Sequence, residues 1–382
     1  MKRIKMVVSV ILSVALVFIM VGCGASSSSD PGDAATGDTT GDTASDTAGD
    51  TAGDTKAPAG EPEFVFTFAD YNPEENQIGK FEKEAFAYIE SESGGRIKID
   101  PYWNGTLLEA GDTWAGTGEG LADISFYYIT LTPGVQSVGE IFTQYYTYKA
   151  PNMVDMLKGY RQVLDEIPEI QEEANKANLE ILDVLAPSGG VYAMTKDRDI
   201  KTPADMKGMT VMAQGRYNDV LPKVGASGIS LPPSEWYTSL ERGVIDALSM
   251  NWSGIRAFGI EEMADYYVTF GDNGGLYCGG QAFLMNLDKW NKLPEDLQKI
   301  VRDGFRLGND GLAAYDSEDS VTVAKEVAAT EGKVVHHIDE ADMAPWYELA
   351  QQSADLWIAD ITKKGYDGKT VWDKFTSIME SV

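Results

Sequence analysis

The chain has 382 residues and carries 31 Lys and Arg against 60 Asp and Glu, which gives a formal net charge of -29. So acidic a chain disfavours nucleic acid and other polyanionic partners, because Lys and Arg supply most of the affinity for phosphate backbones. With 43% hydrophobic residues the chain can bury a sizeable core, and its length suggests about two domains. Its two cysteines and two histidines predict neither a disulfide framework nor a metal site. No cofactor is expected.

The first 22 residues predict an export signal. Three basic residues lie within the first five positions, and an apolar run follows over residues 6–21, as in a secretory signal peptide. The run is shorter than the about 20 residues of a membrane-spanning helix, so cleavage is favoured over a retained anchor. Met20-Val21-Gly22-Cys23 resembles a bacterial lipobox, which implies a lipid on Cys23 and attachment to the membrane. The alternative is an incidental cysteine behind an ordinary signal peptide.

Residues 23–60 predict a flexible spacer. They consist mainly of Ser, Gly, Asp, Thr and Ala, with a repeated Gly-Asp-Thr unit, and such a composition cannot form a core. Calcium binding by the repeated Asp is disfavoured, because the spacing lacks the ligand pattern of a known calcium loop. With Cys23 modified by lipid, Cys278 is expected to be a free thiol.

From residue 61 the pattern is that of an α/β protein. Short apolar strands alternate with helical periodicity, which is typical of a mostly parallel sheet with helices on its faces. The first predicted elements are a strand at 64–68, a helix at 73–94, a strand at 96–100, a helix at 109–120 and a strand at 122–126.

A second series follows after a helix predicted at 153–175. Its predicted strands are 179–185, 191–195, 209–213, 228–231, 245–250 and 281–285, and helices are predicted at 294–330, 340–362 and 369–381. Two α/β lobes joined by more than one crossing fit this order better than a single barrel. Open sheets of this kind bind ligands in the crevice at the carboxyl ends of their strands. We predict lobe I at 61–186 and 272–330, lobe II at 187–271, and C-terminal helices at 331–382 packing across both lobes.

Four stretches, in order, resemble the DctP-type solute-binding proteins of tripartite ATP-independent periplasmic (TRAP) transporters. The most specific begins at Thr202 and reads Thr-Pro-x-Asp-x-Lys-Gly, as in the family. The resemblance covers residues 61–382. The stretches are 92–99 with its Gly-Gly-Arg turn, 105–108 with 120–124, 201–209 with 225–226 and 234–247, and 290–298 with its Trp-x-x-Leu-Pro start.

This resemblance implies a two-lobed, periplasmic-binding-protein-like (type II) fold with a ligand cleft between the lobes and long C-terminal helices. It implies an extracytoplasmic receptor that binds a small organic solute, foremost an organic acid, and delivers it to the small and large membrane subunits of a TRAP transporter. Presentation of the ligand to a sensor instead of a permease is the alternative that the sequence leaves open.

One position departs from the family. Members commonly place an Arg, which grips a substrate carboxylate, where this chain has Met212, and a thioether offers only apolar contact. Either another cation replaces that Arg, with Arg216 and Arg256 as candidates, or the ligand is neutral, zwitterionic or aromatic rather than a simple carboxylate.

The remaining candidate ligand contacts follow predicted strands, where polar and aromatic side chains reach a cleft. Tyr and Trp offer an apolar ring with one polar tip, which suits stacking on a small solute. These candidates are Asp70, Tyr71, Asn72, Tyr127, Tyr128, Asn251 and Trp252, with Tyr277 and Gln281 as weaker ones.

An enzyme is not expected. The chain lacks the Gly-x-Ser-x-Gly, His-Glu-x-x-His and Gly-Lys-Ser/Thr signatures, and no Gly-x-Gly-x-x-Gly follows a predicted strand. His336 and His337 are adjacent, and adjacent residues of a strand point to opposite faces, so a joint metal site is disfavoured.

Overall fold

The computed structural model describes residues 61–144, 152–213, 215–272, 275–276 and 279–382. The predicted signal peptide, the lipid on Cys23, the spacer at 23–60, the thiol of Cys278 and the contact by Tyr277 lie outside the described residues. Within the described residues, no helix is both long enough and apolar enough to cross a membrane.

The described strands and helices alternate along the first two thirds of the chain, and long helices follow. The strands are β1 (Phe64–Ala69), β2 (Ile97–Tyr102), β3 (Ile124–Tyr128), β4 (Leu179–Leu185), β5 (Val191–Met194), β6 (Thr210–Met212), β7 (Ser227–Ile229), β8 (Ala247–Met250), β9 (Tyr266–Phe270), β10 (Gln281–Asn286) and β11 (Val334–Ile338). The helices are α1 (Gln77–Glu92), α2 (Thr113–Gly118), α3 (Met153–Glu166), α4 (Pro168–Lys176), α5 (Tyr217–Val220), α6 (Trp236–Glu241), α7 (Trp252–Ala257), α8 (Leu287–Trp290), α9 (Glu295–Ala329), α10 (Ala344–Lys363) and α11 (Gly368–Met379).

The strands form two sheets, one for each lobe. The first has the order β2-β1-β3-β10-β4, in which β10 runs antiparallel to both neighbours. The second has the order β11-β9-β5-β8-β6-β7. Every residue of β4 is buried, as expected for a strand covered on both faces. Two mixed sheets with helices therefore form the two-lobed fold that the sequence predicts.

The chain passes between the sheets from β4 to β5, from β9 to β10 and, through α9, from β10 to β11. The first two crossings touch at Gly189 and Gly275, where a β-carbon on Gly275 would lie 2.2 Å from the carbonyl carbon of Gly189. The amide of Leu276 also donates to the carbonyl of Gly190 at 2.9 Å. Two backbones in direct contact thus join the lobes beside the cleft.

Two long helices span both lobes. Helix α9 has 35 residues, which at 1.5 Å per residue is about 50 Å. Phe305 packs in the core of the first sheet and Val323 in the core of the second. In α10, Trp346 packs against the second sheet and Trp357 against the first. We predicted residues 272–330 with lobe I, but the last turns of α9 pack on lobe II, because its apolar stripe continues past the end of the first sheet.

Several predicted elements differ from the observed ones. The helix predicted at 153–175 is split into α3 and α4, because Pro168 lacks a backbone donor and disfavours helical geometry at the residue before it. Helix α2 is shorter than the predicted 109–120. Strands β9 and β11 were not predicted, and they pair with each other in parallel.

Candidate functional site

A cavity of about 600 Å³ lies between the lobes, a size typical of small-ligand sites. Its walls come from the carboxyl ends of strands in both sheets, which is where open α/β sheets bind ligands. Tyr71 follows β1 and Tyr128 ends β3 in the first sheet, while Met212 ends β6 and Asn251 follows β8 in the second. The middle of α9 closes one side with Tyr315 and other residues.

The cavity wall is mostly aromatic and apolar. Trp236 and Phe258 from lobe II meet edge to face with ring centroids 4.7 Å apart, and Tyr71 lies 5.8 Å from Phe126 in lobe I. Amide side chains interrupt this surface and supply hydrogen-bonding groups. They belong to Asn72, Asn76, Gln77, Asn251 and Gln281.

The structure brings most of the predicted contacts to this cavity. The candidates that line it are Tyr71, Asn72, Tyr128, Met212, Asn251, Arg256 and the weaker candidate Gln281. The candidates outside its lining are Asp70, Tyr127, Arg216 and Trp252.

Asp70, Tyr127 and Trp252 lie in the interior instead. Tyr127 points away from the cavity because successive strand residues face opposite sides, and its ring lies 5.2 Å from that of Trp114. Trp252 packs 5.2 Å from Tyr267 in the core of the second sheet.

Asp70 is fully buried beneath the loop that follows β1. Its carboxylate accepts hydrogen bonds from the amide and the side chain of Asn72, at 2.8 and 2.9 Å. The other buried carboxyl nearby is Glu82 of α1, which lies beside Asp70. Burial raises the pKa of Asp70 to about 6, and burial together with the charge of Asp70 raises the pKa of Glu82 well above its usual range. Asp70 thus positions a cavity residue without lining the cavity.

Arg216 links the two lobes outside the main cavity. Its guanidinium lies 2.8 Å from Glu140 of lobe I, 2.8 Å from Asp360 of α10 and 3.0 Å from Asp219. Glu140 is buried, and the hydrogen bond from Arg216 lowers the pKa of Asp360. Arg216 is therefore committed to an ion-pair cluster between the lobes.

Arg256 of α7 is the single Lys or Arg among the described residues that line the cavity. Its guanidinium is 3.1 Å from Asp319 of α9, pairs with Glu326 of the same helix, and lies 3.6 Å from Glu261. Three carboxylates thus surround the one cation of the described wall.

Asp316 of α9 is a cavity residue that the sequence did not predict. It is 6% exposed and accepts hydrogen bonds from Ser188 at 2.5 Å, from Asn251 at 2.7 Å and from Ser253. Burial raises the pKa of its carboxyl group. A signal was present, because Asp316 follows Leu312 by four residues and so interrupts the apolar stripe of a long helix.

The two histidines have separate partners. His336 lies 3.0 Å from Asp197, and His337 lies 2.8 Å from the hydroxyl of Thr269. In the part of the chain that the structure describes, no group of three or more His, Cys, Asp or Glu is arranged to hold a metal ion.

The sequence is similar to that of a known protein family. The profile of the family described as bacterial extracellular solute-binding protein, family 7 (DctP), matches residues 68–360. A solute-binding protein of Albidiferax ferrireducens is 22% identical over 281 residues, covering 70% of this chain and 77% of the relative. A monocarboxylate 2-oxoacid-binding periplasmic protein of Nostoc sp. is 28% identical over 224 residues, covering 55% of this chain and 56% of the relative.

Solved structures share the fold. A TRAP solute-binding protein from a marine metagenome, specific for aromatic acids, superimposes with a TM-score of 0.72 at 20% identity, covering 83% of this chain and 98% of that one. A TRAP solute-binding protein of Rhodoferax ferrireducens with benzoate gives 0.72 at 20% identity, with 82% and 97% covered. The ectoine-binding protein of Halomonas elongata gives 0.70 at 20% identity, with 83% and 100% covered.

Proposed function

The chain belongs to family 7 of the bacterial extracellular solute-binding proteins, the DctP family, and we propose that it captures a small organic solute between its lobes and delivers it to the membrane subunits of a TRAP transporter. The observation that carries this proposal is the cavity of about 600 Å³ whose walls come from strand ends of both sheets. A ligand held there contacts both lobes at once.

Hinge closure is the proposed mechanism. A ligand that contacts both lobes binds the closed form better than the open form, and it shifts the equilibrium by that difference in affinity. Tyr71 and Tyr128 act from lobe I, and Met212, Asn251 and Arg256 act from lobe II. The crossing at Gly189 and Gly275 is where the backbone accommodates the movement.

Organic acids with an aromatic ring are the first ligand class to test. The wall carries aromatic rings from both lobes, and the marine and Rhodoferax proteins of the same fold hold aromatic acids. With Met212 in place of the family's Arg, Arg256 is the described cation that an acid would meet in this cavity. A neutral, zwitterionic or aromatic solute remains the alternative class.

The N-terminal sequence supports a location on the extracytoplasmic side of the membrane. We propose that Cys23 carries the lipid of a bacterial lipoprotein and that residues 23–60 tether the lobes to the extracytoplasmic side of the membrane. The small and large TRAP subunits recognise the closed form. The protein acts as a receptor and not as an enzyme. Genes for these two subunits beside its own favour transport, and a neighbouring sensor gene favours signalling.

A thermal-shift screen tests ligand binding. A ligand at 100 times its dissociation constant stabilises a protein by about 2.7 kcal/mol, so binders among organic acids, amino acids, sulfonates and neutral aromatics raise the melting temperature. Arg256→Ala abolishes the shift by acids if Arg256 holds the carboxylate, whereas Arg216→Ala leaves the shift in place.

Solution scattering with a saturating binder tests closure. The radius of gyration decreases on binding if the lobes close. An unchanged radius with a bound ligand contradicts the mechanism, and the absence of any binder in the screen contradicts the receptor function.

A further inference from the structure

The cavity contains a buried carboxylate without a counter-ion. Asp316 is 6% exposed, and its three hydrogen-bond donors, Ser188, Asn251 and Ser253, are all neutral groups. No Lys, Arg or His of the described residues forms an ion pair with it. Burying a carboxylate without an opposite charge is costly, and a cation that arrives beside it recovers part of that cost.

Arg256 does not supply this charge. Its guanidinium forms ion pairs with Asp319, Glu326 and Glu261 instead. Glu75 adds another carboxylate to the same wall. The described lining residues thus include three carboxylates, Glu75, Asp316 and Asp319, and one Arg, so the wall favours a ligand that carries a positive charge over an anion that carries none.

The wall also offers groups that match a positively charged nitrogen. Gln77 Oε1 and Ser249 Oγ are buried atoms of lining residues without a hydrogen-bond partner. Aromatic rings attract cations to their faces, most strongly when water is excluded. The rings available are those of Tyr71, Phe126, Tyr128, Trp236, Phe258 and Tyr315.

We propose that the solute carries an ammonium-type group that pairs with Asp316 and lies among these rings, as in an amine, a betaine or an amino acid. This inference rests on the proposed receptor function and narrows its ligand class. An organic acid that also carries such a nitrogen agrees with the expectation of an acidic ligand and can pair with Asp316.

Matched probes test the role of the charged nitrogen in the intact protein. Phenylalanine is compared with 3-phenylpropionate, which lacks only the ammonium group, phenethylamine with 2-phenylethanol, and tetramethylammonium chloride with sodium chloride at equal ionic strength. At least one ammonium probe is expected to raise the melting temperature by about 3 °C or more at saturation, and its matched partner by clearly less.

Two results overturn the proposal. One is a matched partner that stabilises the protein as much as its ammonium counterpart, and the other is no shift with any ammonium probe. If acids from the wider screen still bind, the receptor function stands and only this ligand class is rejected. If nothing in either set binds, the proposed function fails as well.

A substitution at position 316 then tests whether the carboxylate of Asp316 binds the ammonium group. Asp316→Asn keeps the shape of the side chain and is expected to weaken the dissociation constant of the ammonium probe about tenfold or more. Asp310→Asn, on the same helix but outside the cavity lining, is the matched control and should leave the affinity unchanged. Equal affinity in Asp316→Asn contradicts the assignment, and the matched probes keep the test valid in the wild-type protein if the variant does not fold.

Discussion

Gly275 lies so close to Gly189 that a β-carbon on Gly275 would stand 2.2 Å from the carbonyl carbon of Gly189. Gly189 belongs to the crossing from β4 to β5, and Gly275 belongs to the crossing from β9 to β10. The lobes are thus joined where two backbones touch, and a side chain at Gly275 would have to separate them.

Gly275→Ala should therefore disturb the junction of the lobes. We expect a loss of about 1–3 kcal/mol in the free energy of unfolding, as for other overpacked sites, together with weaker ligand binding. Chemical denaturation and the affinity for a binder from the screen measure both effects. Gly111→Ala is the control, because a β-carbon at Gly111 meets nothing within 4 Å. Equal stability of the two variants would show that the crossings separate freely.

Asp70 predicts a pH dependence of stability. Its pKa is raised from 3.8 to about 6 by burial, so the folded protein binds more protons than the unfolded chain between about pH 4 and pH 6. Stability contributed by this group therefore falls as the pH rises through that window, by about 3 kcal/mol in all.

Asp70→Asn should remove the loss of stability that accompanies ionisation of Asp70. We expect the variant to be more stable than the wild type by about 1–3 kcal/mol at pH 8 and nearly equal to it at pH 4, because an amide cannot ionise and still accepts the hydrogen bond from Asn72. Urea unfolding at both pH values measures the difference. A variant that is less stable at pH 8 would contradict the assigned cause.

Asp183→Asn is the matched control for a buried carboxylate. Asp183 is also fully buried, but Arg161 lies 2.7 Å away and Asn309 donates to it at 2.8 Å. Removing one partner of a buried pair costs about 3 kcal/mol or more. The same substitution should thus destabilise the protein at position 183 and stabilise it at position 70.

Substitution of Arg216 should lower the stability of the protein and leave its ligand affinity unchanged. Arg216→Met leaves the buried carboxylate of Glu140 without its cation, so we expect a loss of about 3 kcal/mol in the free energy of unfolding. Adding Glu140→Gln should restore part of this loss, because the unpaired charge is then gone. If the variant instead kept its stability and lost its ligand affinity, Arg216 would be a ligand-binding residue.

Much of the site follows from strand ends in the sequence. Tyr71, Tyr128 and Asn251 were predicted because they follow or end apolar strands, and the carboxyl ends of strands open toward the cleft. Tyr127 was predicted with its neighbour, but the register of β3 turns only Tyr128 toward the cavity. Whether these residues contact the solute stays a prediction that the binding experiments address.

The partners of the charged residues did not follow from the sequence. Glu140 precedes Arg216 by 76 residues and Asp360 follows it by 144, and no local pattern announces contacts over such separations. Asp316 lies on a helix whose placement across both lobes depends on packing against two separate cores.

The sequence by itself determined the alternation of strands and helices and the motifs that resemble the family, and it predicts that Met212 stands where members commonly have an Arg, because these are properties of local residue order. Tertiary structure decided which carboxylates surround Arg256, and it left the cavity residue Asp316 without a counter-ion. The physical reason is that α9 packs across both lobes, so its Asp316, Asp319 and Glu326 meet partners from distant parts of the chain only when the lobes are assembled.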